Sequence, residues 1–171
     1  MAKRINLREF QESVVARLQN AVGMDAAKIS SKLGVQVGRQ DWLVDLVEVS
    51  EVLPVPSMAT VPLTRPWFVG VANVRGVLYS VADLSFFLGG EPTQVNVDSR
   101  LLLVNPRYGV NAALIVNRML GLRNPEQLQR TSDGGSELWI GGEFTDGDGR
   151  IWKELSMAGL MQDQDFLNIA L

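Results

Sequence analysis

The chain has 171 residues, 46% of them apolar and 20% charged, a formal net charge of −3, and neither cysteine nor histidine. That length suffices for one domain with a real core, or for two small barrels that share one, and the balance is that of a globular chain rather than a disordered or membrane-embedded one. A mildly acidic chain with scattered arginines lacks the basic footprint of a nucleic-acid binder, and without cysteine or histidine no disulfide, thiol nucleophile, His-based triad or His/Cys zinc site can be built.

The first predicted element is a helix over residues 5–22. Leu7, Phe10, Val14, Leu18 and Ala21 recur at steps of three or four, Asn6 and Glu9 form a capping box, Ile5 staples onto Phe10, and Gly23 supplies the stop. The basic N-terminus has no apolar segment after it, so it is not a secretory signal, and no stretch approaches the ~20 apolar residues of a membrane span. A cytoplasmic protein is expected.

The chain then turns to β. Leu33, Val35 and Val37 alternate, Gly38-Arg-Gln-Asp41 makes a turn, and Trp42 to Leu53 reads as one long returning strand. Pro54, Pro56, Pro62 and Pro66 mark a loop, because proline cannot donate into a central ladder. The loop delivers the chain to a hairpin over Trp67 to Asp83, whose corner is Asn73-Val-Arg-Gly76. Asp83 then caps a short helix with Leu84, Phe87 and Leu88 inward and Gly89-Gly90 as its stop.

Residues 91–98 read as a linker. Strands over Arg100 to Asn105 and Val110 to Val116 flank the turn Pro106-Arg-Tyr-Gly109, and Asn124 to Leu128 reads as a helical turn opened by Pro125. Residues 131–137 form a loop, Trp139 to Leu155 a second hairpin around Thr145-Asp-Gly-Asp-Gly149, and Ser156 caps a last helix carrying Met157, Leu160 and Met161. A weak internal echo links the halves: Val47 to Leu53 aligns with Val116 to Leu122 (116 − 47 = 69), Trp67-Phe with Trp139-Ile (139 − 67 = 72) and Leu84-Ser with Leu155-Ser (155 − 84 = 71). Two short-stranded units with Gly- and Pro-rich turns favour small barrels side by side over one sandwich.

Few motifs carry chemistry. Asp146-Gly-Asp-Gly-Arg150 resembles a calcium loop, but Met157 occupies the position of its closing glutamate and a strand follows, so a hairpin turn is expected. Asp45, Glu48, Glu51 and Asp83 offer no acid pair on spacing alone: Asp83 is a cap, and Asp45 and Glu48 fall on opposite faces of the predicted long strand. Trp42, Trp67, Trp139 and Trp152 are expected to fill the core. No cofactor, metal or catalytic residue is expected. Arg75 stands apart, because Asn73 tolerates a turn, Gly76 permits positive φ, and a guanidinium fixed between them can grip a partner carboxylate.

These residues resemble a known family. Leu43 to Leu53, Val61-Pro, Trp67 to Gly76, Val81-Ala-Asp-Leu84 and Ala113 to Met119 follow the order of the CheW-like chemotaxis adaptors, most specifically in the Gly-x-x-Asn-x-Arg-Gly run from Gly70 that ends on Asp83-Leu84. The opening Leu-Arg-Glu-Phe-Gln-Glu looks like the pilus-associated branch, the PilI-type twitching-motility adaptors. The resemblance implies a mainly β fold of two intertwined five-stranded SH3-like barrels over residues 33–161, with an N-terminal helical extension at 1–32 and a C-terminal tail at 162–171. It also implies a non-catalytic adaptor between the cytoplasmic tip of a methyl-accepting chemoreceptor and the regulatory domain of a CheA-type histidine kinase, recruited to membrane-associated receptor arrays. By position, Asn73, Arg75 and Gly76 match the corner near the receptor-binding groove, and Glu51, with Val49 on the same strand face, matches the interaction strand. Val-Asn-Arg-Met at Val116 to Met119 and Lys153-Glu-Leu155 depart from the family pattern, so the second barrel's contacts are not carried over. The competing expectation is a regulatory β-barrel module that holds a small ligand between the barrels.

Overall fold

The computed structural model describes residues 31–171, so the helix expected over residues 5–22 lies outside the described residues. The chain opens with a hairpin of β1 (Lys32–Val37) and β2 (Gln40–Asp45). The expected long strand from Trp42 to Leu53 is in fact two. A 3₁₀ turn at Leu46–Glu48 breaks it, and β3 (Val49–Pro54) belongs to a different sheet. Backbone groups of the break are taken up from outside the strand: Leu46 N–H donates to the Ser31 carbonyl, the Asn105 amide side chain donates to the Val47 carbonyl, and the Asn105 N–H to that of Glu48. Asp45 and Glu48 are therefore not on opposite faces of one strand: Asp45 ends β2 and Glu48 is the last residue of the turn. Asp45 accepts from Lys32, and Glu48 accepts from Arg107 and the Tyr108 hydroxyl.

The hairpin of β4 (Phe68–Val74) and β5 (Val77–Asp83) and the capped α1 (Leu84–Phe87) stand where the sequence puts them. Asp83 accepts from the N–H of Phe86 and also from the N–H and hydroxyl of Thr93, which ties the linker to the helix start. There follow β6 (Arg100–Val104), β7 (Ala112–Val116), β8 (Arg118–Arg123), β9 (Gln129–Ser132), β10 (Ile140–Thr145), β11 (Ile151–Leu155), α2 (Met157–Leu160) and α3 (Gln164–Leu167). Ser156 caps α2 by accepting from Gly159 N–H. Residues beyond it fold back: Phe166 is buried, and Arg65 N–H and Leu171 N–H donate to Ile169 and Leu63 across a bridge at Thr64 and Ala170.

The two sheets run β8-β1-β2-β11-β10-β9 and β3-β6-β7-β5-β4. Each takes the leading hairpin of one half and the remaining strands of the other. In both, that hairpin lies parallel to the last strand of the other half, β2 against β11 and β7 against β5. Duplication accounts for this order, and local bonds repeat it: Phe68 N–H donates to Arg65 O and Ile140 N–H to Glu137 O (137 − 65 = 72). Likewise Asp83 N–H donates to Trp67 O and Ser156 N–H to Trp139 O, both at 2.8 Å. The capping residues Asp83 and Ser156 (156 − 83 = 73) are thus the equivalents, which corrects the offset of 71 read from Leu84-Ser and Leu155-Ser.

One sheet has the expected five strands and the other six. The extra strand is β9, whose Gln-Arg-Thr-Ser is polar and exposed at every position, so residues 131–132 carry no strand signal. Its counterpart in the five-stranded sheet is only a bridge between Ala59 and Val71, because the proline-punctuated segment around it cannot supply a ladder.

A shared core lies between the sheets, with Leu33, Val35, Trp42 and Val44 against Leu102, Val104, Leu114 and Val116. The other face of the five-stranded sheet encloses Ala72, Val81, Leu101, Leu103, Ala113 and Ile115. Each fully buried aliphatic side chain contributes about 1.5–3 kcal/mol. Trp42 and Trp152 are buried, while Trp67 and Trp139 are half-buried in an aromatic cluster where Trp67 stacks on Phe166 at 5.5 Å and meets Phe87 edge-on at 5.2 Å. Asp146 spends both carboxylate oxygens on the hairpin turn, accepting from the N–H groups of Asp148 and Arg150 and from the Trp152 indole.

Lys32 ties the halves together, donating to Asp45 of its own hairpin at 2.6 Å and to Glu154 of β11 at 2.5 Å, with 12% of its side chain exposed. Burial alone would lower its pKa, but the two carboxylates outweigh that and hold it above the ordinary lysine value. Replacing Lys32 with Met keeps the stem and strands Glu154, so we expect a loss of about 2 kcal/mol, less than for a fully buried pair because Asp45 is half open to water. The stabilisation is complete below the unfolded-state lysine value of about 10.4 and disappears as pH rises through the higher folded value. Denaturant unfolding should show the gap between the two proteins constant at neutral pH and closing only above pH about 10.4. A gap independent of alkaline pH would contradict this.

Candidate partner-binding site

The β4–β5 corner is a two-residue turn in which Arg75 has φ +51° and Gly76 φ +86°. Positive φ at both central positions is the type I′ geometry that matches the twist of a tight hairpin. Asn73 locks it by accepting from the Gly76 N–H at 2.8 Å. Glycine or asparagine would take the first position at less cost than arginine, for which the left-handed region is unfavourable by about 1 kcal/mol or more.

From this corner the Arg75 guanidinium makes two parallel bonds to Glu51, Nη1 to Oε2 and Nη2 to Oε1, both at 2.7 Å. The bond from Glu51, and then its charge, hold Arg75 above its ordinary pKa. Glu51 lies on β3 and Arg75 at the tip of β4–β5, and these are the two outermost strands of the five-stranded sheet. The pair therefore joins opposite edges of the sheet, which must curl on itself to bring them together. Even so, 77% of the Arg75 side chain and 32% of that of Glu51 stay exposed.

Val49 does not share the face of Glu51. A bulge at Ser50 shifts the register, so that Val49 pairs with Val104 and Glu51 with Leu103. Val104 and Leu103 point to opposite faces, so Val49 sits in the shared core while Glu51 lies on the face of Leu101 and Leu103. Val49 is 9% exposed and offers a partner no surface.

The hairpin face that begins at buried Phe68 and Ala82 beside the shared core and runs through Val71, Ser80 and Leu78 toward the tip forms one wall of an apolar groove of about 390 Å³. Met161, Phe166, Leu167 and Ile169 form its other wall. Leu78 pairs directly with Asn73 of the corner and is 60% exposed, and Leu167 is 50% exposed. The sequence reading missed this groove. Its one signal was an apolar residue, Leu78, at an outward-facing position of the hairpin.

The CheW-like domain profile matches residues 32–165. The chain belongs to the CheW-like family. It is 32% identical over 153 residues to the protein PilI of Pseudomonas aeruginosa, covering 86% of this chain and 84% of that protein, and so falls in the PilI branch. The crystal structure of the scaffolding protein TtCheW from Thermoanaerobacter tengcongensis shares the fold, with a TM-score of 0.68 at 18% identity over 82% of this chain and 97% of that one. The two exchanged sheets are thus the CheW-like fold, and the corner motif from Gly70 to Leu84 lies within the matched residues. Among the described residues, no helix is long and apolar enough to cross a membrane.

Proposed function

We propose that this chain is a non-catalytic adaptor of a type IV pilus chemosensory system, joining the cytoplasmic tip of a methyl-accepting chemoreceptor to the regulatory domain of a CheA-type histidine kinase in the cytoplasm at membrane-associated arrays. The observation that carries the reading is Arg75: a side chain held on a strained, rigid corner by Asn73, Gly76 and Glu51, largely exposed, at the tip of the hairpin whose Leu78 and Ser80 line an apolar groove. Strain retained where glycine would relieve it speaks for selection by function. The groove suits the apolar stripe of a helical receptor tip, and the guanidinium suits a carboxylate at its rim. A small-ligand module would need several convergent polar groups, whereas Ser80 and Asn111 are the polar residues of this groove.

Co-purification of the full chain with a candidate CheA-type kinase and a receptor cytoplasmic fragment tests the reading, and a ternary complex is the expected result. Arg75→Ala should weaken that complex about tenfold, as loss of a bidentate charged contact does, with an almost unchanged Tm because the pair is exposed. Unimpaired assembly by the variant would remove Arg75 from the interface.

A further inference from the structure

The helix predicted over residues 5–22 carries one apolar stripe, Leu7, Phe10, Val14, Leu18 and Ala21, which a lone helix cannot bury. The groove beside the β4–β5 hairpin is apolar, and Leu78 and Leu167 on its two walls are 60% and 50% exposed. We propose that residues 5–22 of this same chain lie in that groove in the free protein, so that a docking helix has to displace them. The proposal rests on the adaptor reading for the identity of the displacing partner, and adds that the chain itself holds the site closed.

The place where the chain enters the described fold argues for this occupant. Ser31 accepts at its carbonyl from Leu46 N–H, which opens the turn between β2 and β3. That turn is bonded to the segment leading into β7: the Glu48 carbonyl accepts from Asn105 N–H at 2.9 Å, and the Glu48 carboxylate from the Tyr108 hydroxyl. Just beyond Tyr108, residues Val110, Asn111 and Ala112 line one end of the groove. Val49, which follows the turn, pairs with Val104 of β6, and β6 pairs with β7, so Ala112 at the start of β7 is two strand spacings away, about 10 Å. Residues 23–30 reach up to about 28 Å when extended, which covers that path.

A helix on so short a tether acts at an effective concentration on the order of 1 mM. An intrinsic dissociation constant of about 0.1 mM would then leave the groove open about a tenth of the time, which weakens a competing helix about tenfold. A helix of this length is marginal by itself, so it leaves the groove well before the barrels unfold, and the Tm does not read its docking.

The chain has no cysteine, so Ala16→Cys, on the helix face opposite the stripe, accepts a single nitroxide label. In the ¹⁵N-labelled full chain the expected result is broadening of the Leu78, Ser80 and Leu167 amide resonances, lost when Phe10→Glu is added. Leu18→Glu serves as the second variant. Each should also bind a receptor cytoplasmic fragment about tenfold more tightly than the parent, one 1.4 kcal/mol step. Absence of broadening at these residues, or broadening that survives both substitutions, would overturn the proposal. So would the same broadening in a mixture of nitroxide chains and ¹⁵N chains without nitroxide, which would make a second copy the occupant, or a receptor affinity indifferent to both substitutions. The adaptor reading fails on a different result: no binding of a receptor fragment by the parent or by either variant, in which case the broadening alone decides the occupant.

Discussion

Gly70→Ala is expected to destabilise the protein by about 3 kcal/mol or more and to lower its Tm by roughly 10 °C. Gly70 has φ +144°, a conformation that L side chains rarely adopt. It also sits at the bulge where the β4 register shifts between Phe68 and Gly70, and a Cβ there would lie 2.2 Å from the carbonyl oxygen of Ala59. That oxygen is backbone, held by the Val71 N–H at 2.9 Å, so it cannot rotate away as a side chain would. Either the Ala59 segment leaves the hairpin or β4 shifts against β5, and both loosen the base of the element that presents Arg75. Gly147 is the control: it lies in the β10–β11 turn, has no positive φ, and a Cβ added there would meet nothing within 4 Å. Gly147→Ala should change stability by no more than about 0.5 kcal/mol. Thermal unfolding of the two variants separates them, and a Gly70→Ala protein within about 2 °C of the parent would show that the loop yields at little cost.

The same glycine explains why one part of the fold was legible in the sequence. The Gly70 to Leu84 run encodes each feature locally: alternation gives the strands, Asn-x-Arg-Gly gives the type I′ corner, and Asp83 gives the cap. What lay beyond reach was non-local. Offsets of about 70 residues reveal two copies of a unit but not that each copy lends its first hairpin to the other's sheet. Leu46 and Val47 continue the apolar run of β2, so nothing in the residues marks the turn that sends β3 to a second sheet. The bulge at Ser50 carries neither glycine nor proline, and that silent extra residue moved Val49 from the proposed surface into the core.

The groove beside the corner leads to the largest functional effect expected of a single substitution. Leu78 is 60% exposed, makes no contribution to either core, and stands between Asn73 of the corner and the wall formed by Phe166 and Leu167. On the adaptor reading, an apolar partner helix covers it. Leu78→Glu then removes about 2 kcal/mol of apolar burial and places a carboxylate where it must be desolvated on docking. Binding of a receptor fragment should fall about 100-fold or more, while the free protein unfolds at the parent's Tm, because an exposed strand position accepts a glutamate readily. Kinase binding measured in the same preparation shows which partner uses the groove. If only receptor binding falls, the groove is the receptor's. If only kinase binding falls, the groove belongs to the kinase, and Arg75 must be reassigned with it. Unchanged affinity for both would leave the apolar groove without a role in docking and would confine the interface to the arginine corner.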